Sequence, residues 1–329
     1  MAPSVTTTTE PRLNLRKCMR KIRIDFCDFW PGFCKTDNFF WHALKKRFDV
    51  ELHAQPDFLI YSNRESHLHR VHNCVKIYFA VESFLPLWSE CDYALTCHYL
   101  DDSRHLRLPL YVLYGAPERL IRHGEDAETL LREKRKFCSF IVSNGGKRKT
   151  QKRVDFFHRL SRYQRVDSAG RYLNNIGGPL VGGTAEKIAF LRQYKFNIAF
   201  ENGSTPGYTT EKLVEAMPAR TVPIYWGSPR VAEEFNPRSF LNYHDYSDED
   251  ELIEKIIELD RDEKKYLEWF HQPYFRDDRP NEFYNEDRLL DFFERIFSTP
   301  IQPVSQRRPW LQAGRWILLK KNKPNEAPP

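Results

Sequence analysis

Residues 194–229 read YKFNIAFENGSTPGYTTEKLVEAMPARTVPIYWGSP, and this stretch says most about the fold. The apolar run Phe196–Glu201 predicts a buried strand, and a loop of glycine, serine and proline follows it. A helical pattern begins at Glu211, and the run Val222–Tyr225 predicts a second strand. Strand, helix and strand at this spacing indicate a β-α-β unit, which belongs to a parallel sheet.

The same alternation continues on both sides of this unit and predicts an α/β fold. Further strands are predicted at 22–26, 58–61, 75–79 and 137–143, and helices at 39–47, 154–165, 184–193, 211–217 and 249–259. Ten of the 14 glycines lie between 145 and 227. Tight strand-to-helix turns of this kind are typical of the nucleotide-binding half of a doubly wound fold, although ordinary turns remain the alternative.

The charge is unevenly distributed along the 329 residues, whose formal net charge is +6. Residues 1–23 and 301–329 each carry a net charge of +5, which leaves −4 for the body of the chain. This distribution argues against a nucleic-acid-binding protein, and no nucleic-acid motif is present. All seven cysteines lie in the first 138 residues without a C-x-x-C pair, so free thiols are expected. The first residues show no apolar signal-peptide core, and no apolar run approaches the length of a membrane span.

Two loops hold candidate ligand-binding groups, because the carboxyl ends of parallel strands line the ligand crevice. A helix that begins near Thr210 offers free N–H groups to a diphosphate. Lys212 would add positive charge there, and Glu211 could accept hydrogen bonds from ribose hydroxyls. The alternative is that Thr209 or Thr210 only caps the helix. In the polar loop that follows residue 165, Arg171 is either a phosphate clamp or a solvated surface residue.

The remaining polar clusters have structural explanations, so no metal site is predicted. Asp248 and Asp250 match a D-x-D pattern, but they lie at the N-terminus of the predicted helix 249–259, where acidic residues are favoured. The histidines at 67, 69 and 72 are interpreted as solvated loop residues, and the basic run at 147–153 as the solvated start of a helix. In the C-terminal tail, a helical pattern would place five residues on one apolar face: Trp310, Leu311, Gly314, Ile317 and Leu318. Basic residues flank that face, so it would either contact an anionic membrane or dock on the protein body.

Four motifs carry a resemblance to a known family. They are FCSFIVSN at 137–144, VDSAGR-x-LNN-x-GG at 166–178, KFNIAFEN-x₅-YTTEKL…VPIYWGSP at 195–229 and N-P-x-S-F-x-N at 236–242. In them the chain resembles the alpha-1,3-fucosyltransferases, above all the shorter bacterial members. The resemblance implies a GT-B fold, in which two Rossmann-like domains face a cleft. The implied domains are a basic extension (1–23), an acceptor-side domain (24–134), a GDP-fucose-binding domain (135–300) and a basic amphipathic tail (301–329).

The resemblance also implies a reaction and a set of site residues. The family transfers L-fucose from GDP-fucose, with inversion, to O3 of N-acetylglucosamine in glycans such as N-acetyllactosamine, which gives a Lewis-type product. By position in the motifs, the diphosphate would be neutralised by Arg171 and Lys212, and the ribose and guanosine would be held by Glu211 and Tyr208 with Asn202 nearby. The general base would be Glu82, in Tyr78–Ser83, where the family has an E-S-P-like motif. Here Phe84 stands where the family usually has proline, so the sequence departs from the family pattern just after the base.

Several alternatives stay open at this point. The protein could use another GDP-sugar or acceptor, or bind nucleotides or glycans without catalysis. No cofactor is expected beyond the donor substrate, and stimulation by a divalent cation is left open. No nucleic-acid partner is expected, whereas the tail could contact an anionic membrane. Similarity to the bacterial members predicts a cytoplasmic protein at the inner membrane, with the Golgi lumen as the alternative if a native anchor has been removed.

Overall fold

The structure is a computed structural model that describes residues 21–62, 66–114, 116–121, 126–145 and 148–307. Apart from 21–23 and 301–307, the expected basic extension and amphipathic tail lie outside these ranges. The first of two parallel sheets has the order β2-β1-β3-β4-β5-β6. Its strands are β1 (Ile22–Cys27), β2 (Val50–Leu52), β3 (Phe58–Tyr61), β4 (Val75–Phe79), β5 (Tyr93–Thr96) and β6 (His105–Arg107).

The second parallel sheet has the order β11-β10-β9-β7-β8. Its strands are β7 (Lys136–Phe140), β8 (Val166–Ser168), β9 (Tyr194–Phe200), β10 (Val222–Trp226) and β11 (Leu241–Asn242). The predicted α/β fold with parallel sheets is confirmed. Strand β7 stops at Phe140 rather than at Ser143, because the next residues turn away as a loop. Strand β8 was not predicted, because its three residues are too few for a recognisable pattern.

Nine α-helices connect and cover the two sheets within the described ranges. They are α1 (Phe39–Arg47), α2 (Ala127–Glu133), α3 (Gln151–Leu160), α4 (Thr184–Leu191), α5 (Glu211–Ala216), α6 (Glu249–Arg261), α7 (Glu263–Phe270), α8 (Glu286–Ser298) and α9 (Val304–Arg307). Helix α3 begins and ends earlier than the predicted 154–165. Helices α2, α7, α8 and α9 were not predicted.

The last long helix crosses back to the first sheet. Five of its residues belong to the first apolar core: Leu289, Leu290, Phe292, Phe293 and Ile296. Its acidic side faces α1, where Lys46 Nζ lies 2.8 Å from Glu286 Oε1 and Arg47 pairs with Asp287 and Asp291. The domain boundaries at 134 and 300 stay a prediction. Helix α8, however, packs on the first domain, although the predicted boundaries assign its residues to the second. The sheet on which α8 packs is determined by tertiary contacts, and the local sequence pattern of the helix does not specify them.

A buried ion pair joins the two halves. Arg107, at the end of β6, donates from Nη2 to Glu234 Oε1 at 2.7 Å and to Gly207 O at 3.4 Å. The guanidinium lies between the rings of Tyr99 and Phe283, about 4 Å from each centroid. Gly207 has a φ of +88°, and a Cβ there would lie 2.1 Å from a backbone oxygen of the first domain. The pair therefore holds the loop before α5 tightly against the first sheet.

Candidate active site

A cavity of about 640 Å³ lies where the carboxyl ends of the two sheets meet. Its walls include every residue that the sequence proposed for the site: Glu82, Arg171, Asn202, Tyr208, Glu211 and Lys212. Glu82 comes from the first domain and the other five come from the second. The fold thus brings the predicted residues together across the cleft, while the role of each stays a proposal.

Glu82 is held by neutral groups from the opposite domain. It follows β4 after two further residues, and its carboxylate accepts a hydrogen bond from the Tyr208 hydroxyl. Asn202 Nδ2 donates to both oxygens of the same carboxylate, at 3.1 and 3.4 Å. Burial, with the nearby Glu201 and Glu82 carboxylates, raises the pKa of Tyr208 far above its ordinary value, so the phenol remains a donor. Glu82 is therefore oriented without being neutralised by an ion pair.

A second carboxylate supports the cationic wall of the cavity. Glu201 directly follows β9, is fully buried, and lies 3.0 Å from Lys212 Nζ. It also accepts from the Thr210 backbone N–H at 2.7 Å and from the Thr210 hydroxyl. Burial alone would lower the pKa of Lys212, but the carboxylates of Glu201 and Glu211 outweigh it and raise that pKa. Lys212 is therefore a fixed positive charge at the start of α5.

The expectation that Thr209 or Thr210 merely caps α5 is wrong. Thr210 stands at the N-cap position, yet its side chain makes no capping hydrogen bond. Its hydroxyl bonds to Glu201 instead, and the Thr209 hydroxyl bonds to Tyr225 at 3.1 Å. The Thr210 side chain therefore leaves this helix start uncapped, while its own backbone N–H is bonded to Glu201 and the Glu211 N–H to the Glu211 carboxylate.

Arg153 is a further cavity residue, and the sequence assignment missed it. It was included in a solvated basic helix start, whereas its side chain is only 2% exposed. Nη1 donates to Asn202 Oδ1 at 2.8 Å and Nη2 donates to Asn144 O, while the buried Nε has no hydrogen-bond partner among the residues that the structure describes. Burial lowers the pKa of Arg153. Its spacing from Phe156, Phe157 and Leu160 was the available signal, because it puts Arg153 on the buried face of α3.

Two clusters were given structural explanations in the sequence analysis, the D-x-D motif and the histidines; the structure agrees with the first explanation and not with the second. Asp248 caps α6 by accepting from the N–H groups of Asp250 and Glu251, at 2.9 and 3.0 Å, so the acidic residues lie at the helix N-terminus as predicted. The interpretation of His69 as solvated is wrong, because it is only 3% exposed. Its Nδ1 lies 2.6 Å from Asp28 Oδ2 and its Nε2 lies 2.8 Å from Glu90 Oε2.

A possible metal-ligand set overlaps this network. Ligand atoms of His67, His69 and Glu90 lie within 4.8 Å of one another. Both ring nitrogens of His69 are already bonded to carboxylates, so the network serves to hold the loop after β3. The hydrogen bond from His69, with Arg70 beside it, lowers the pKa of Glu90 to about 2.

The tail residues Trp310–Leu318 lie outside the described part of the chain. Within the described part, every helix is too short or too polar to cross a lipid bilayer.

Two family profiles match the chain over most of its length. The profile for the C-terminal part of glycosyltransferase family 10 (fucosyltransferase) matches residues 131–283. The profile for the N-terminal domain of alpha-(1,3)-fucosyltransferase FucT matches residues 24–114.

Individual relatives agree with these profiles. The alpha-(1,3)-fucosyltransferase FucT of Helicobacter pylori is 30% identical over 78% of this chain and 61% of its own length. A human 4-galactosyl-N-acetylglucosaminide 3-alpha-L-fucosyltransferase is 31% identical over 59% of this chain and 52% of its own. The chain thus spans less than two thirds of these curated relatives.

Solved structures extend the likeness to the whole fold. A crystal structure of alpha1,3-fucosyltransferase superposes with a TM-score of 0.74 at 26% identity, covering 91% of this chain and 94% of that one. A crystal structure with GDP-fucose gives a TM-score of 0.70 at 26% identity, covering 91% and 96%.

Two parallel sheets with a shared cavity at their carboxyl ends, in this arrangement, define a glycosyltransferase fold of the GT-B type. The expected two-domain GT-B architecture is confirmed. Within that fold class the family can be stated, because the two profiles match both halves of the chain and the relatives agree with them. The chain belongs to glycosyltransferase family 10, the fucosyltransferases.

Proposed function

We propose that the protein is an inverting alpha-1,3-fucosyltransferase. It transfers L-fucose from GDP-fucose to O3 of N-acetylglucosamine in a glycan such as N-acetyllactosamine. The observation that carries the proposal is the placement of Glu82 from one domain opposite Lys212, Arg153 and Arg171 from the other, around one cavity. A base and a set of phosphate ligands on opposite walls suit a single displacement between two substrates.

The cationic wall would bind the diphosphate of the donor. Lys212 stands in the first turn of α5, where helix N–H groups also favour an anion. The unpaired Nε of Arg153 offers a buried donor for a phosphate oxygen. Arg171, which is exposed at the cavity rim, would add a third charge. Glu211 would accept from the ribose hydroxyls, as its position beside Lys212 allows.

Glu82 would act as the general base. The acceptor hydroxyl gives its proton to the Glu82 carboxylate as its oxygen forms a bond to the anomeric carbon of fucose. The bond from that carbon to the β-phosphate oxygen breaks, and GDP leaves with the electron pair. Tyr208 and Asn202 orient the carboxylate through neutral hydrogen bonds, so it remains able to take up a proton. One carboxylate is sufficient, because an inverting transfer forms no covalent glycosyl-enzyme.

The test is a transfer assay with defined donors and acceptors. With GDP-fucose and N-acetyllactosamine, GDP release should equal product formation, and NMR of the product should show an alpha linkage to O3 of N-acetylglucosamine. GDP-mannose serves as the donor control. Tight GDP binding without product would favour the non-catalytic alternative, and faster transfer from another GDP-sugar would favour a related transferase.

The finer expectations on location and ions stay predictions. Contact of the tail with an anionic membrane predicts that deletion of 305–329 reduces co-sedimentation with anionic vesicles. The cytoplasmic location and stimulation by a divalent cation are each testable, the first by cell fractionation and the second by assays with and without a chelator.

A further inference from the structure

The loop that follows Glu82 exposes an unusual amount of apolar surface. Residues 83–89 read SFLPLWS, and Phe84, Leu85 and Leu87 are 48%, 62% and 60% exposed. Six large apolar side chains are exposed in the described part of the chain, and three of them lie in this loop. Exposed apolar clusters of this kind commonly mark interaction sites.

Backbone hydrogen bonds and packing hold the loop in this outward arrangement. Phe84 N–H donates to Glu82 O at 2.8 Å, which turns the chain sharply after the base. At the other end, Leu87 O accepts from the N–H groups of Glu90 and Cys91, at 2.7 and 3.3 Å. The Arg104 guanidinium covers the Trp88 ring at 4.1 Å. Pro86 fixes one backbone angle between the exposed leucines. The apolar side chains are therefore presented by a braced loop.

A second group of aromatic residues lies beyond the carboxyl end of β1. Phe29 contacts the ring of Phe79, the last residue of β4, and also the ring of Trp30. Trp30 is 45% exposed. Tyr114, also exposed, lines the cavity itself. Exposed apolar groups of the first domain thus occur in the loop after β1, in the loop after Glu82 and, with Tyr114, in the cavity wall.

The chemistry and position of the loop together identify its occupant. Residues 83–89 contain no charged side chain, so a charged partner finds no complement there. Phe84 is only two residues from Glu82, so a second protein chain fixed on this loop would stand beside the base and hinder the acceptor. If Glu82 is the base, the acceptor hydroxyl lies beside its carboxylate, and a group attached to the acceptor can then reach the loop that begins at the next residue.

We propose that Phe84, Leu85 and Leu87 bind an apolar group attached to the acceptor glycan, so that the enzyme prefers lipid-linked or other amphipathic acceptors to free oligosaccharides. This inference rests on the proposed function, because it requires Glu82 to mark the acceptor site. Each fully buried methylene can strengthen binding by up to about fourfold, and a partly open surface gives a fraction of that.

The test uses N-acetyllactosamine glycosides with methyl, butyl and octyl groups, all below their micelle concentrations. For the wild-type protein, KM should fall roughly tenfold or more from the methyl to the octyl glycoside, with little change in kcat. The ratio of the two KM values should approach one in a Leu85→Asn/Leu87→Asn variant. Ala116→Asn, which alters an exposed apolar residue outside the cavity lining, is the control and should retain the wild-type ratio.

The other outcomes overturn the proposal. Transfer to all three glycosides with equal KM would leave the proposed function in place and remove this inference. A KM ratio that survives the double substitution would show that the alkyl group binds elsewhere. Loss of a wild-type dimer in the variant, measured by light scattering, would assign the surface to a second copy. Loop-dependent binding to phosphatidylcholine vesicles without glycan would assign it to the bilayer. Absence of transfer to every acceptor would overturn the proposed function as well.

Discussion

Each sheet places a glutamate just beyond a central strand, and the two glutamates have opposite environments. Glu201 follows β9 directly, is fully buried, and pairs with Lys212 at 3.0 Å. Glu82 follows β4 at a short distance, lines the cavity, and within the described residues has the neutral partners Tyr208 and Asn202. Equivalent positions in parallel sheets therefore serve different purposes. Lys212 holds Glu201 in an ion pair, whereas the two hydrogen-bond partners of Glu82 are neutral, which is consistent with the base role proposed for Glu82.

The largest effect that would test the difference between the two glutamates is expected when the charge of Glu82 is removed. Glu82→Gln should lower kcat by about 10²–10⁴-fold, because the amide cannot accept the proton of the acceptor hydroxyl. Its dissociation constant for GDP, measured by calorimetry, should change little. Tyr208→Phe is the companion variant, since it removes one neutral hydrogen bond to the base and should cost about fivefold in kcat. Turnover near the wild-type rate in Glu82→Gln would show that another group is the base.

For Glu201 we expect a change in stability, because its carboxylate balances the buried charge of Lys212. Glu201→Gln should lower the free energy of unfolding by about 3 kcal/mol, because Lys212 then keeps only Glu211 as a carboxylate partner. Urea unfolding at pH 7 gives the value. The double variant Glu201→Gln/Lys212→Met removes both charges and should recover part of the loss. Equal stability of the single variant and the wild type would remove the distinction between the two glutamates.

The cationic wall can be dissected by comparing two arginines. Arg153→Ala should weaken GDP binding by roughly 10- to 100-fold, because a buried charge-assisted hydrogen bond contributes about 1.5–3 kcal/mol. Arg171→Ala should weaken it less than tenfold, because Arg171 is exposed and remains solvated in the free protein. Calorimetric titration with GDP measures both. The opposite order would make Arg171 the stronger phosphate ligand of the two, in line with the family resemblance, which implied Arg171 and Lys212.

The smallest effect concerns a carboxylate of the first domain that is paired and lies away from the reaction. The pKa of Glu90 is lowered from an ordinary value near 4.5 to about 2, chiefly by the hydrogen bond from His69. A lowered carboxyl pKa adds stability above pH 4.5, and this stability is lost as the pH falls toward 2. Glu90→Gln should therefore cost about 2 kcal/mol at pH 7, and its difference from the wild type should shrink between pH 4.5 and 2. Urea unfolding across that range would show the change; a pH-independent difference would contradict it.

The sequence predicted the strands and helices whose pattern is local. Strands β1, β3, β4, β9 and β10 appear where apolar runs are bounded by turn residues, because both faces of a parallel strand are buried. The three-residue strand β8 gives no such signal. Helix α8 has an apolar stripe that could have been recognised, but its packing on the first sheet depends on contacts far apart in sequence.

In the candidate site, too, the sequence predicted what is local and missed contacts between residues far apart in the chain. Asn202, Tyr208, Glu211 and Lys212 lie in one continuous motif, so their convergence on one cavity follows from strand and helix geometry. The contact between Tyr208 and Glu82 joins residues from two domains, and no local pattern contains it. Charge alone suggested solvation for the start of α3 and for His69. Burial of Arg153 and His69 is decided by their partners, which only the folded chain supplies.

The return of α8 to the first sheet has a consequence for biosynthesis. All strands of the first sheet lie between residues 22 and 107, yet the α8 side chains that complete its core come from 289–296. The second sheet and the α6 and α7 residues of its core are contained between 136 and 270. During translation, the half that leaves the ribosome first must therefore keep one apolar face open until nearly all of these residues have been made. We expect the second half to mature before the first, so that the two domains reach their native cores in the reverse of their order along the chain.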